Sequence, residues 1–177
     1  GVGQLIQRAH KKGDIYQAKY AGHYCESCEA YYTAGDLVDG NCPQHHTPAK
    51  WVSEQNYFFR LSKYEKALKE LFESHPSFCE PAHRRAEVIS FLNSGLKDFS
   101  ISRSTFTWGI PLPFDSSHVI YVWFDALINY LTACGVEEWL KDPQSQGGQL
   151  FEQRWKNVFH IIGKDITRFH CIYWPAM

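Results

Sequence analysis

Two stretches in the last third of the chain share one pattern of apolar and polar positions. Val158-Phe-His-Ile-Ile162 is an apolar, β-branched run with a single histidine, and it reads as a buried strand. Gly163 breaks the run, Asp165 follows at an N-cap position, and Ile166, Phe169, His170 and Tyr173 recur at helical spacing. Earlier, His118-Val-Ile-Tyr-Val-Trp123 is also strand-like, with Asp125 as the N-cap of a helix over Ala126–Ala133 that Gly135 closes. Two consecutive strand–helix units predict an α/β fold with a parallel sheet and right-handed crossovers, their carboxyl ends on one edge. Ligands bind at such an edge. Glycine lets the main chain approach, a helix N-terminus carries partial positive charge, and a carboxylate takes ribose hydroxyls. Gly163 and Asp165 are candidates on that ground, although a plain turn satisfies the same spacing.

Upstream, Leu5, Ile6 and Ala9 share one face of a helix over Gln4–Lys12, and Ile15–Tyr24 alternates as a strand. Trp51–Leu61 is a second aromatic strand. Ser62-Lys-Tyr-Glu65 has the form of a capping box, opening a helix with Tyr64, Leu68, Leu71 and Phe72 on one face and its end near His75-Pro76. A further helix runs from Pro81 to Asn93-Ser-Gly95, with Arg84 and Arg85 on its solvated side. Phe99–Arg103 reads as a short strand, Trp108–Pro113 as a rigid loop, and Asp142–Gln149 as a polar loop. Arg103, just past a strand, has the fork geometry to clamp a carboxylate or phosphate; an ordinary surface arginine is the plainer alternative.

The six cysteines change the picture more than the bulk composition does. Cys25-Glu-Ser-Cys28 is followed by Cys42-Pro-Gln-His45, with Asp39-Gly-Asn41 as turn residues between them. Two close pairs of soft ligands suit tetrahedral Zn²⁺ and predict a structural Cys3His site, with His46 and His23 as rivals for the fourth place. A Cys25–Cys28 redox pair is the competing reading. Four protein ligands leave no open position, so such a metal folds the chain rather than catalyses. The 177 residues are 44% hydrophobic and 16% aromatic, enough for a packed core, and the net charge of −1 gives no overall electrostatic footprint for nucleic acid. No apolar run approaches the roughly 20 residues of a membrane span.

Several stretches together resemble the methionyl-tRNA synthetase family. They are Gly13-Asp-Ile-Tyr16, Tyr20–Cys25, the cysteine–histidine spacing, Glu54–Ser62, Leu96–Arg103, Trp108–Pro111, Tyr121–Ala126, Gly163–Asp165, Phe169-His170 and Trp174–Met177. They run in the family's order over nearly the whole chain. The resemblance implies part of a Rossmann-type catalytic domain interrupted by a zinc-knuckle connective peptide. Residues 1–120 would be the insert, with the knuckle at 25–45, and 121–177 the start of the second Rossmann half. It implies methionine activation with ATP and Mg²⁺ to methionyl-adenylate, followed by transfer to tRNA. Trp123, Ala126, Tyr130, Ile166 and His170 match the methionine pocket, Gly163 and Asp165 the adenosine site, and Arg103 an arginine tied to both substrates and assigned as catalytic. Packing alone would account for Trp123 and Tyr130. His160 and Lys164 stay ambiguous between site and scaffold.

Neither ATP signature of the family, H-I-G-H or K-M-S-K-S, occurs in the sequence. The chain is therefore expected to be an internal piece that binds zinc but forms no adenylate alone. A cytoplasmic location is expected, with the mitochondrial matrix as the alternative. The competing functions are a zinc module for RNA or protein, and a related synthetase for another amino acid.

Overall fold

The computed structural model describes residues 1–28, 30–105 and 107–177, apart from the side chains of Tyr20, Ala30 and Tyr31. Helix α1 (Val2–Lys11) leads into a long antiparallel ribbon of β1 (Ile15–Cys25) and β3 (Lys50–Phe59), paired from Ile15↔Phe59 to Tyr24↔Lys50. The short β2 (Ala30–Tyr32) and β4 (Phe99–Ser100) flank it, giving the order β2-β1-β3-β4. At about 3.4 Å per residue the ribbon extends about 30 Å. One end enters the core through Ile15 and Phe59, and the other carries the first cysteine turn.

Helices α2 (Glu65–Ser74) and α3 (Ala82–Asn93) follow, then β5 (Ser102–Arg103), β6 (Pro111–Leu112) and β7 (Asp115–Ile120) in a second sheet of order β5-β7-β6. Helices α4 (Val122–Cys134), α5 (Val136–Lys141) and α6 (Gln146–Trp155) come next. The chain ends in a helical path made of a tight turn at Lys164–Ile166, a wide turn at Phe169–Tyr173, and α7 (Trp174–Ala176). One apolar core gathers Ile6, Phe59, Phe72, Leu92, Phe124 and Ile172, so it draws on both sides of Tyr121.

The first helix, the ribbon strands and the helices after Glu65 and Pro81 form where their patterns place them. Gly13 supplies the turn out of α1 with φ 74°. Asp14 beside it is 2% exposed and accepts from Lys63 Nζ at 2.5 Å and the Tyr64 hydroxyl at 2.8 Å. Burial pushes its carboxyl up, but those two partners outweigh it and hold Asp14 below the usual aspartate range. With its folded pKa depressed, its contribution to stability is complete at neutral pH and is lost as pH falls through that lowered value. Asp14→Ala leaves the Tyr64 hydroxyl without its acceptor and is expected to cost about 1–3 kcal/mol in urea unfolding at pH 7.

Other expectations need correction. The parallel pair of strands does not form: every named strand pair among the described residues is antiparallel. The first strand ends at Ile120, because Tyr121 is the N-cap of α4 and residues 122–123 already lie in the helix. Asp125 falls in the first helical turn instead of capping it, and burial raises its carboxyl. The segment Val158–Ile162 lies outside any helix or strand. Its burial still alternates, with Phe159 and Ile161 89% and 99% exposed between half-buried neighbours. That is the signature of a half-covered strand with no hydrogen-bonding neighbour among the described residues.

The capping box at Ser62–Glu65 is replaced by long-range bonds. Ser62 N and Oγ both donate to Asp98, and Glu65 accepts from Leu96 N. Phe99–Arg103 divides between two sheets, and Pro111-Leu112, expected as part of a rigid loop, forms β6. Neither arginine is as solvated as expected: both are half-buried, Arg85 donating to the Phe72 carbonyl in the last turn of α2 and Arg84 pairing with Glu87. The polar loop is shorter than predicted, because Ser145 caps α6 by accepting from Gly148 N at 3.0 Å. A Cβ on Gly148 would lie 2.5 Å from the Asp142 carbonyl, so only glycine lets that turn close. Gly135, at φ 93°, ends α4 as its pattern predicts.

Candidate active site and metal centre

Helix α4 buries Phe124, Leu127 and Ile128, which leaves Trp123, Ala126 and Tyr130 toward its other side. The C-terminal helical path lies against that side. Trp123, 39% exposed, stacks on Phe169 with ring centroids 4.5 Å apart and planes 15° from parallel. One residue on, His170 is 7% exposed and meets Tyr130.

The polarity of this contact follows from its neighbours. His170 Nδ1 lies 2.9 Å from the Ile166 carbonyl, which can only accept, so Nδ1 carries the proton. In the neutral ring Nε2 is then the acceptor, and the Tyr130 hydroxyl donates to it at 2.7 Å. His160 packs edge-on against the Tyr130 ring at 4.4 Å and lies 5.6 Å from the His170 ring. Burial, and then His170, hold His160 below the usual histidine range, which favours a neutral His160 ring. A cavity of about 730 Å³ adjoins both histidines, with Phe124, Ile128, Trp155 and Trp174 in its wall. The wide turn at Phe169–Tyr173 sets His170 out of ordinary helical register, as such turns do at ligand sites.

Gly163 and Asp165 border this group on the chain. Gly163 is its helix's N-cap, with ordinary φ of −70°, and a Cβ there would meet nothing within 4 Å. Neither its backbone nor the described packing demands a glycine. Asp165 stands in the first turn instead of at the cap; its side chain is 82% exposed and pairs with Lys164. An exposed pair of that kind holds a carboxylate weakly.

Arg103 is placed elsewhere. It is 5% exposed, with Nε 3.6 Å from Oε2 of the equally buried Glu54. Glu54 also accepts from Thr105 Oγ1 at 2.5 Å and Asn56 Nδ2 at 3.1 Å. The guanidinium lies 4.3 Å over the Tyr24 ring and 5.7 Å from that of Tyr121, the N-cap of α4. Arg103 thus joins the ribbon to the start of the helix that carries Trp123 and Tyr130. Sequence reading missed Glu54 and Phe169. Both lie in stretches that carry the family resemblance, Glu54–Ser62 and Phe169-His170, but nothing local assigned either a role: Glu54 alternates with other strand residues, and Phe169 is one more apolar position at helical spacing.

At the far end of the ribbon, one ligand atom each from Cys25, Cys28, Cys42 and His45 lies within 4.8 Å of the others. His45, not its rivals, completes the group: His23 instead packs on Trp51 and faces the Ala49 carbonyl. His46 occupies a left-handed position, φ 54°, in the turn that closes with His46 N donating to Cys42 O at 2.8 Å. Asp39 and Gly40, at φ 50° and 78°, bend the chain ahead of the second pair. Burial pushes the Cys42 thiol up, but the amides of His45 and Gln44 aim at its sulfur and bring it down to about 5. A sulfur held as thiolate among three further soft donors fits a tetrahedral divalent metal such as zinc.

The α/β fold thus carries a Cys3His cluster at the end of its ribbon and a Tyr130–His170 contact near Gly163 and Asp165. A profile of the family described as tRNA synthetases class I (M) matches residues 2–51 and 45–177, and the chain belongs to that family. It is 46% identical over 176 residues to the methionine–tRNA ligase of Caldanaerobacter subterraneus subsp. tengcongensis, covering 99% of this chain and 26% of that protein. To that of Streptomyces coelicolor it is 46% identical over 184 residues, covering 99% and 33%. The structure of Mycobacterium tuberculosis methionyl-tRNA synthetase in complex with methionyl-adenylate superposes with a TM-score of 0.85 at 44% identity, over 99% of this chain and 34% of that one. The chain therefore spans about a quarter to a third of the length of these relatives.

Proposed function

We propose that this chain is the zinc-bearing insert and part of the second catalytic half of a methionine–tRNA ligase. Residues 1–120 form the insert and 121–177 the catalytic portion, welded by their common core. The full-length enzyme activates methionine with ATP and Mg²⁺, releasing pyrophosphate, and passes the methionyl group to tRNA in the cytoplasm. Val158–Ile162, with its alternating burial, is read as a strand of a Rossmann-type parallel sheet whose neighbours belong to the longer protein.

The observation that carries this reading is the Tyr130–His170 hydrogen bond beside Trp123, Ala126 and Ile166. With Tyr130's proton committed to His170 and His170's to a carbonyl, that pair presents no idle donor. It offers aromatic, polarizable surface, which suits a thioether and disfavours a polar side chain. Asp165, exposed beside Gly163, accepts the ribose hydroxyls, and the open approach at Gly163 admits the adenosine. Arg103 acts from its buried seat on the α4 terminus and its pocket. A zinc ion held by Cys25, Cys28, Cys42 and His45 supplies folding energy to the knuckle; the chemistry of activation belongs to the other site. Catalysis on this plan is positioning and charge stabilisation, with no covalent step on the protein.

Methionine-dependent ATP–pyrophosphate exchange tests the reading. The full-length enzyme is expected to catalyse it and the isolated 177-residue chain is not. In the full-length enzyme His170→Ala strands the Tyr130 hydroxyl. The methionine KM is expected to rise about 10–100-fold, the equivalent of one unpaired buried hydroxyl, while that for ATP changes little. An equal effect on both substrates would place His170 outside the amino-acid pocket.

A further inference from the structure

The thiols of the knuckle are not equally protected. Cys25 and Cys42 are 1% and 0% exposed, whereas Cys28 is only half-buried. Its sulfur is therefore the one that water, chelators and oxidants reach first. Tyr32 covers it, donating its hydroxyl to Cys28 Sγ at 3.2 Å. The strand geometry puts the phenol there. β2 folds back along β1 with His23↔Tyr32 and Cys25↔Ala30 as partners, so the residue four places after Cys28 returns across the first cysteine turn. Two other side chains come less close: Gln44 Oε1 lies 3.6 Å from Cys28 Sγ, and Thr47 Oγ1 lies 3.9 Å from the already buried Cys25 Sγ.

We propose that Tyr32 is a positioning residue of the metal centre, whose hydroxyl holds the exposed Cys28 sulfur in its ligating place and retards loss of the ion. The proposal rests on the zinc reading above. Three thiolates bring more negative charge than a divalent cation neutralises, so a hydrogen-bond donor on one sulfur relieves the excess. A donor on the exposed sulfur does a second thing. It occupies the position from which a proton or a competing electrophile would approach when the sulfur–metal bond opens. Neither effect is available to a ring without the hydroxyl.

Tyr32→Phe keeps the ring and removes the donor. In the zinc-loaded chain, transfer of the metal to a chromogenic chelator is expected to be roughly ten-fold faster than in the parent. In the cobalt-substituted chain, the sulfur-to-metal charge-transfer band is expected to move to lower energy, because a thiolate that loses a hydrogen bond gives up its electrons more easily. Far-UV circular dichroism of the metal-loaded forms should coincide. Equal release rates with one zinc in each protein overturn the role of Tyr32 and leave the zinc site standing. Faster release with an unmoved cobalt band overturns it too, since the ring would then act by packing alone. A parent chain that purifies and reconstitutes without zinc overturns both readings at once.

Discussion

Replacing Cys42 by serine is expected to empty the metal centre and unfold one end of the molecule while leaving the other folded. Cys42 is fully buried, and both of its neighbours in the quartet, Cys28 and His45, lie within hydrogen-bonding range of it. A structural zinc of this kind contributes about 10–16 kcal/mol of apparent binding energy, all of it available only to the folded knuckle. The knuckle has little else to hold it. Between Glu26 and Pro48 the described residues contribute only Cys42 to the buried core. The expected result is a fall from one zinc per chain to a trace by elemental analysis. Hydrogen exchange should show fast amides from Tyr24 through Lys50. The far end of the ribbon, at Ile15↔Phe59, sits in the apolar core and should keep its protection. Loss of protection along the whole ribbon would mean that the metal holds more than the knuckle.

Glu54→Ala is expected to give the second largest effect, by removing the carboxylate that faces the buried Arg103 guanidinium and accepts from Thr105 and Asn56. Removing one partner of a buried ion pair costs about 3–5 kcal/mol, because the remaining charge keeps its desolvation penalty. For a chain of this size that corresponds to a melting temperature lower by roughly 6–20 °C. The damage should travel. Arg103 lies over Tyr121, the cap of α4, so the helix that carries Trp123 and Tyr130 loses a fixed start. Glu54→Leu combined with Arg103→Met should recover part of the stability, since two apolar residues replace the charged pair while Thr105 and Asn56 still lack their acceptor. If the double variant melts no higher than Glu54→Ala alone, the ion pair is not what the single change destroyed.

The Cys3His cluster was legible because its members come from two tight turns, and spacing over three residues nearly dictates where the side chains point. The rival histidines needed the fold to separate them, since His45 and His46 differ only in the twist of one turn. The helices at α1, α2, α3 and α4 were legible from their apolar spacing, and Gly135 from its left-handed end. The capping box was a misreading of the same local logic. Ser62 and Glu65 have the right spacing, but Asp98 and Leu96, more than thirty residues away, compete for them and win.

Arg103 shows where local reading stops. Its charge and position after a strand are compatible with a substrate clamp, and only the register of β3 reveals Glu54 beside it. The same holds for Trp123, whose partner Phe169 lies on another helix, and for Val158–Ile162, whose alternation is clear but which pairs with no strand among the described residues. Caps, turns and metal-ligand pairs close over a few residues, so their partners are written next to them. A strand's hydrogen bonds, a buried charge's counter-ion and a ring's stacking partner come from distant parts of the chain. Those pairings follow from how the apolar faces pack, and no window of the sequence contains them.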